Sequence, residues 1–393
     1  MAIKMKTSKK AIIFAICYIA YVSIYVARLN LSMASPGLIA DGTLTKSQLG
    51  VLGSIFSVIY ASGRLINGGI SDHKPPFLMI CAGLFIAGGA NLAFGAFPPF
   101  VGMMILWSAN AWAQSMLWSS ILCVISELHD ESAAKKLTSY MVTAVAAGNV
   151  AGIIVNTAII TKLGNSFAFI IPGGFTIIMG IAAFISIRKL PSPKPKEGKK
   201  PESVTKLLKN RELLTAAIPA AFHGVMKDNI SLFMAVYFVE SFGIDLEKSA
   251  YFVLFIPVVG FVGRMLYPFV YKISGEREHL VSILGFALCL ISSLPLCLGV
   301  GTPVIAMICL GLIYASVSLI NTSFLSIYPL HFASEGHIAS VSGIMDFVTY
   351  LGAGISSMIY GIVGYLPMFV SWAVVSVISI LLLTSLLKRA NKG

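Results

Sequence analysis

The sequence predicts an all-α polytopic membrane protein with twelve transmembrane helices in two pseudo-symmetric six-helix bundles. Three observations predict it. First, 57% of the 393 residues are hydrophobic and 11% are charged, less than half the roughly 25% charged content of a soluble domain. Mean hydropathy is +0.88. A soluble fold needs a polar exterior that this composition cannot supply, which argues against a cytosolic enzyme, a secreted scaffold and a nucleic-acid-binding domain. Second, twelve apolar runs are each near the length that crosses a bilayer. Third, Lys and Arg alternate between the connections on the two sides.

A spanning helix needs about 20 mainly apolar residues. Such runs lie at about 11–36, 48–71, 77–97, 101–126, 138–161, 167–187, 213–239, 249–271, 280–299, 302–328, 338–362 and 366–387. The first follows Lys4, Lys6, Lys9 and Lys10, but it is longer than a signal-peptide core and more spans follow it. Turn residues punctuate the runs at Asp41-Gly42, Pro75-Pro76, Pro98-Pro99, Gly275-Glu276 and Gly301-Thr302-Pro303. With both termini cytoplasmic, the cytoplasmic segments hold 21 Lys and Arg and the external loops only Lys46, Lys162 and Lys248. That is the bias of the positive-inside rule. Residues 191–211, rich in Pro and Lys, read as a hydrated cytoplasmic linker between bundles at 1–190 and 212–393. The net charge of +12 therefore bears on orientation and on an anionic substrate, with no nucleic-acid partner expected. Six cysteines lie in apolar runs without metal-ligand spacing, so they read as small packing residues and no metal or cofactor is expected.

The halves repeat at an offset near 200. Arg28-Leu29-Asn30-Leu31-Ser32-Met33 matches Lys227-Asp228-Asn229-Ile230-Ser231-Leu232, and Gly63-Arg64-Leu65 matches Gly263-Arg264-Met265. Thr45-Lys46-Ser47 resembles Glu247-Lys248-Ser249. Parallel repeats of this kind imply two bundles related by an axis along the membrane normal, with a site near mid-membrane where the halves meet. The repeat pairs Arg28 with Lys227 and Arg64 with Arg264. An ionised side chain at the bilayer centre costs about 2.5–3.5 kcal/mol or more, so these four cations are expected to face a bundle interior or a watery cavity.

The spans hold fewer carboxylates than cations. Asp228 adjoins Lys227, but i,i+1 neighbours on a helix point in different directions. Asp346 lies in the eleventh run and Glu127 near the cytoplasmic end of the fourth. Asp228 and Asp346 are candidates for charge pairing or coupling. The cation excess points to an anion drawn from water, with Arg28 offering a planar fork and Lys227 a point charge. Structural pairing or snorkelling is the competing reading for Arg64 and Arg264.

Polar and aromatic residues surround these cations in the sequence. Tyr21, Tyr25, Arg28 and Ser32 recur at helical spacing and form one stripe, as expected of a cavity wall. His223 is one turn from Lys227 on the same face and could bind anion, titrate or pack. Gln114 and Trp118, at i,i+4, can face one cavity, while Trp112 reads more simply as packing.

Gly68-Gly69-Ile70-Ser71-Asp72-His73-Lys74 resembles the loop signature between helices 2 and 3 of the major facilitator superfamily. Gly68 and Asp72 stand at the expected spacing, and His73 and Pro75-Pro76 replace the usual basic tail. A narrower resemblance is to the organophosphate:inorganic-phosphate antiporters. It rests on Tyr21-x3-Tyr25-x2-Arg28-x-Asn30, on Trp112-x-Gln114-x-Met116-x-Trp118, on Asn149-Val150 and on Tyr350-Leu351-Gly352. The resemblance implies the major facilitator fold, a cytoplasmic gate at Gly68 and Asp72, and phosphate-binding cations at Arg28 and Lys227. The chain departs from the family in three places. Lys227 replaces the usual Arg, Gly148 stands where the family has a helix 5 His, and Asp346 replaces a Gly.

The expected function is secondary transport of a small organic anion. The best candidate is an organophosphate exchanged for inorganic phosphate by rocker-switch alternating access, in a protein embedded in the inner membrane and acting as a monomer. The substrate-binding candidates are Arg28, Lys227, Tyr21, Tyr25, Arg64, Arg264, Gln114, Trp118 and His223. The alternatives are proton-coupled symport of a carboxylate or other oxyanion, with Asp346 or His223 carrying the proton, and a non-transporting anion-sensing receptor. No enzyme is expected. The chain has no Gly-x4-Gly-Lys-Ser/Thr loop for ATP and no nucleophile–base spacing.

Overall fold

The computed structural model describes residues 7–71, 74–188, 209–299, 301–332 and 338–390. These residues are helical, with no strand among them. The helices are α1 (Thr7–Ala40), α2 (Lys46–Ser71), α3 (Pro76–Phe94), α4 (Phe100–Ser115), α5 (Leu117–Leu128), α6 (Glu131–Leu163) and α7 (Phe167–Ile187). They continue as α8 (Arg211–Phe242), α9 (Leu246–Ile273), α10 (Glu278–Cys297), α11 (Pro303–Thr322), α12 (Ile338–Val363) and α13 (Tyr365–Ala390). The Pro/Lys-rich linker expected at 191–211 lies almost wholly outside the described residues, as does Asp72; Gly68 lies in α2.

Turn chemistry sets the helix ends. Pro75 precedes α3 with Pro76 in its first turn, and Pro99 precedes α4. The Asn210 side chain caps α8 by accepting from the Glu212 and Leu213 amides at 2.9 and 3.1 Å. Gly243 ends α8 at φ 62°, a left-handed conformation that suits a residue without Cβ.

Among the described residues ten helices are long and apolar enough to cross a membrane, which makes this an integral membrane protein. Two expected spans fall short for reasons visible in their residues. The fourth is broken: α4 has 16 residues and α5 has 12, with Met116 between them. The seventh, α8, is long but carries His223, Lys227, Asp228 and Asn229 in its middle. The tenth run also differs from expectation. Its helix stops at Thr322 and continues as a π-helical turn, Ser323–Ile327, then a 3-10 turn, Tyr328–Phe332.

The chain divides into two compact units. Unit 1 comprises residues 1–45 and 58–197; unit 2 comprises 46–57 and 198–393. The first three turns of α2 thus pack with unit 2, although they precede the linker. Gly50 and Gly53 permit this, because a Cβ on Gly50 would lie 2.5 Å from the Ser357 carbonyl oxygen and one on Gly53 would lie 2.3 Å from the Leu232 side chain. Lys46 pairs with Glu240 at 2.5 Å, and the Tyr365 hydroxyl donates to the same carboxylate oxygen at 2.8 Å.

Within each unit the helices pair in the same pattern. In unit 1, α1 packs on α6 and α3 on α7; in unit 2, α8 packs on α12 and α10 on α13. The core of unit 1 gathers Ile13, Cys17 and Ile24 of α1, Leu84 of α3, Ile121 and Ile125 of α5, and Met141 of α6. All six cysteines are free, and four of them are buried.

Candidate functional site

Each unit holds one cluster built around the cations of its first two spans. In unit 1, α1 carries Arg28 and α2 carries Arg64. Both guanidinium groups lie over the ring of Tyr60, at 5.1 and 5.9 Å from its centroid, within the range of a cation–π contact. Two like charges gathered at one buried aromatic ring favour an anion. Tyr60 was not among the sequence candidates. Its spacing of four residues before Arg64 is the signal that marks it.

Tyr25, one turn before Arg28 on α1, is next in the cluster, within electrostatic reach of Tyr60, Arg28 and Arg64. Its ring lies 5.5 Å from Tyr21, edge to face, and Tyr21 lies 5.2 Å from Trp118. Tyr21 is only 3% exposed and sits in the apolar core, so the expected stripe dips from the cation cluster into packing. Gly148 of α6 adjoins Tyr25, and a Cβ there would lie 2.5 Å from the Tyr25 Cβ. The position that resembles the family's histidine site therefore has no room for a side chain while Tyr25 stays in place.

Gln114 and Trp118, which by spacing can face one cavity, stand on either side of the break at Met116 and have different neighbours. Gln114 is buried and donates to Asn110 at 3.0 Å. That bond joins a chain of amides. Asn30 donates to Asn91 at 2.7 Å, and Asn91 donates to Asn110 at 3.3 Å. Trp118 turns to Tyr21.

In unit 2, α8 and α12 cross in backbone contact. A Cβ on Gly224 would lie 1.8 Å from the Thr349 carbonyl oxygen, and one on Gly352 would lie 2.3 Å from that of Ala221. The crossing sets Lys227 Nζ 5.2 Å from the Tyr350 ring centroid. It also approaches Asp228 Oδ1 at 3.9 Å. The expectation that adjacent helix residues point apart is corrected here, because the long lysine side chain bends back across the gap. The contact is at the outer edge of ion pairing and lacks hydrogen-bond length. The two side chains are 18% and 16% exposed, so both are largely buried.

His223 is fully buried one turn before Lys227, and neither ring nitrogen has a hydrogen-bond partner among the described residues. Lys227 and Arg264 of α9 both act on it electrostatically. Arg264 follows Gly263, whose Cβ would lie 2.7 Å from the Ala315 carbonyl oxygen. Asp346 lies on α12 one turn before Tyr350. Unit 2 thus gathers Lys227, Arg264 and His223, and unit 1 gathers Arg28, Arg64, Tyr25 and Tyr60. Among the described residues no group of three or more His, Cys, Asp or Glu is arranged to hold a metal ion.

Comparison with known proteins places these clusters in a family. The probable hexose phosphate transport protein of Chlamydia trachomatis serovar D is 28% identical over 179 residues, 46% of this chain and 39% of that protein. The chain thus spans about two-fifths of the length of that relative. The glycerol-3-phosphate transporter of Bacillus subtilis strain 168 is 24% identical over 394 residues, covering 92% of this chain and 86% of that one. In fold, the crystal structure of the nucleoside transporter NupG matches with a TM-score of 0.79 at 12% identity, over 96% of this chain and 99% of that one. These relatives are named for transport, while the membrane sensor protein UhpC of Escherichia coli strain K12, 28% identical over 106 residues, 27% of this chain and 24% of that protein, is named for sensing; none of the three is named for an enzymatic reaction. The family description Major Facilitator Superfamily matches residues 17–357, and the two cation-bearing units therefore make up a chain that belongs to the Major Facilitator Superfamily.

Proposed function

We propose that the chain is a secondary active transporter of a small organic anion, and that this anion is an organophosphate exchanged for inorganic phosphate by rocker-switch alternating access. The observation that carries this reading is the pair of guanidinium groups on the Tyr60 ring in one unit and, in the other, the Lys227 ammonium on Tyr350 one turn from buried His223. Spans that accept four charges at about 2.5–3.5 kcal/mol each have a use for them. A phosphate group returns that cost through charge-assisted hydrogen bonds, bidentate to arginine and single to lysine. Two relatives named for different phosphate esters support the class of ester rather than one member of it.

Exchange follows if the unliganded carrier interconverts poorly. Repulsion among the cations then disfavours the intermediate state, and the anion lowers its energy by binding it preferentially. Both clusters contribute to binding in this reading, with Arg28 and Lys227 as the principal contacts. The orientation has both termini in the cytoplasm of a cell bounded by an inner membrane, and the carrier acts as a monomer.

Counterflow in proteoliposomes tests the proposal. Uptake of labelled glycerol phosphate is expected to require internal inorganic phosphate. Arg28→Ala and Lys227→Ala are each expected to abolish it while the protein still inserts. Native uptake by Arg28→Ala refutes the assignment. Uptake driven by an inward proton gradient alone establishes symport, for which Asp346 and His223 are the candidate proton carriers. Binding without flux points to a receptor.

A further inference from the structure

The repeat preserves an asparagine two residues after each principal cation, Asn30 after Arg28 and Asn229 after Lys227. Two residues along an α-helix is a rotation of about 200°, so each asparagine projects from the side of its helix opposite the cation. Both asparagines have 0% exposure. Asn30 donates to Asn91 Oδ1 of α3 at 2.7 Å and to the Ala168 carbonyl of α7 at 3.2 Å. Asn229 donates to Ser356 Oγ of α12 at 2.7 Å, and its Oδ1 accepts from Ser357 at 2.9 Å.

The partners differ between the units but the anchoring is the same. The buried amide is tied to neighbouring helices from the rear face of the cation-bearing helix. A second tie supports each one. Asn156 of α6 donates to the Val26 carbonyl of α1 at 2.9 Å, and Thr349 of α12 donates to the Ala220 carbonyl of α8 at 3.1 Å. Apolar burial is non-directional, so it fixes the rotation of a helix less sharply than a hydrogen bond of defined geometry does. A buried amide cannot turn without losing its partners, and leaving it unsatisfied there costs more than any apolar rearrangement of the same size.

We infer that Asn30 and Asn229 are positioning residues that fix the rotation and axial register of α1 and α8, and so the direction in which Arg28 and Lys227 point. The inference rests on the proposed anion-binding role of those two cations. It adds residues that never touch the anion yet set its affinity.

The test has one readout that needs no anion. In a background with the six native cysteines replaced by serine or alanine, Arg28→Cys is labelled with a water-soluble methanethiosulfonate reagent, with Asn30 intact or as Asn30→Ala. Lys227→Cys is labelled with Asn229 intact or as Asn229→Ala. Loss of the asparagine should change the labelling rate at least about threefold. A merely structural role lowers the thermal midpoint and leaves the rate alone, and that result overturns the inference.

The second readout is the Kd for inorganic phosphate in detergent. Asn30→Ala and Asn229→Ala should raise it about tenfold, because small misplacements of a binding group are costly. If Arg28→Ala and Lys227→Ala bind phosphate like the native protein, the proposed function fails. If those two lose binding while both asparagine variants keep the native Kd and labelling rate, only the positioning role fails. Asn91→Ala removes the Asn30 side-chain bond while leaving that to the Ala168 carbonyl, and the pair Ser356→Ala with Ser357→Ala removes both inter-helix bonds of Asn229. They replace either asparagine variant that does not fold, with the same outcomes.

Discussion

Gly148→Ala should destabilise unit 1, and Gly174→Ala should not. The Cβ added at Gly148 would lie 2.5 Å from the Tyr25 Cβ, 3.1 Å from its Cγ and 3.3 Å from the Val22 carbonyl oxygen. Carbon atoms sit comfortably at about 3.5–4.0 Å, so α1 and α6 must separate by roughly 1 Å at this point. The obstructing atoms belong to backbone and to the root of a side chain, and no change of rotamer clears them. Overpacking of this kind costs about 1–3 kcal/mol. Alanine recovers up to about 1 kcal/mol through helix propensity, which leaves a net loss of about 0–2 kcal/mol. At Gly174 nothing lies within 4 Å of the added Cβ, so only the propensity gain remains. The two variants should therefore differ by about 1–3 kcal/mol with opposite tendencies. Thermal unfolding of the purified protein in one detergent reads the order directly. Gly148→His, which introduces the residue found in the resembling family, should fare worse than Gly148→Ala and weaken phosphate binding by displacing Tyr25. A Gly148→Ala midpoint at or above that of Gly174→Ala would refute the packing argument.

Three further outcomes are expected. Lys227→Arg should retain part of the anion flux, since the charge is kept while the planar fork is larger; loss as complete as that of Lys227→Ala would show that the compact ammonium is required. Glu240→Gln breaks the pair with Lys46, but the side chains are 28% and 33% exposed. Its effect on the thermal midpoint should correspond to less than about 1 kcal/mol and shrink in high salt; a large, salt-independent loss would contradict this. His129, in the turn between α5 and α6, has its pKa held below the ordinary 6.5 by partial burial and by the positive charge of Lys10, with Asp130 acting in the opposite direction. The unfolded chain therefore takes up the proton first as pH falls, so this contribution to stability is complete above about 6.5 and is lost below it. His129→Gln should flatten the acid-side decline measured between pH 8 and 5, and parallel curves for the two proteins would rule the effect out.

Much of the fold was legible in the residues because a bilayer imposes a length and a polarity on each span. The runs that the structure breaks were the hardest to read. Nothing apolar in Leu117 or Met116 announces that the fourth span splits there, and nothing in Ser323-Phe324-Leu325 announces a π-helical turn. Of the candidate site, the four cations and His223 were visible as polar residues in apolar runs. Tyr60 was not, because a tyrosine in a span reads as ordinary until two guanidinium groups are found on its ring. The Lys227–Asp228 contact went against the expectation from helix geometry, since backbone direction does not limit a four-carbon side chain.

By itself the sequence determined that the chain crosses a membrane, that its halves share short matching segments, and that each half carries cations at equivalent positions of those segments. These follow from composition, spacing and solvation cost, which are properties of residues taken one or a few at a time. Only the tertiary structure decided which neighbours those cations have, that Gly148 leaves no room beside Tyr25, and that Asn30 and Asn229 are tied into their own units. Those facts depend on distances of a few ångströms between residues far apart in the chain, and such distances are set by packing of whole helices rather than by any local pattern.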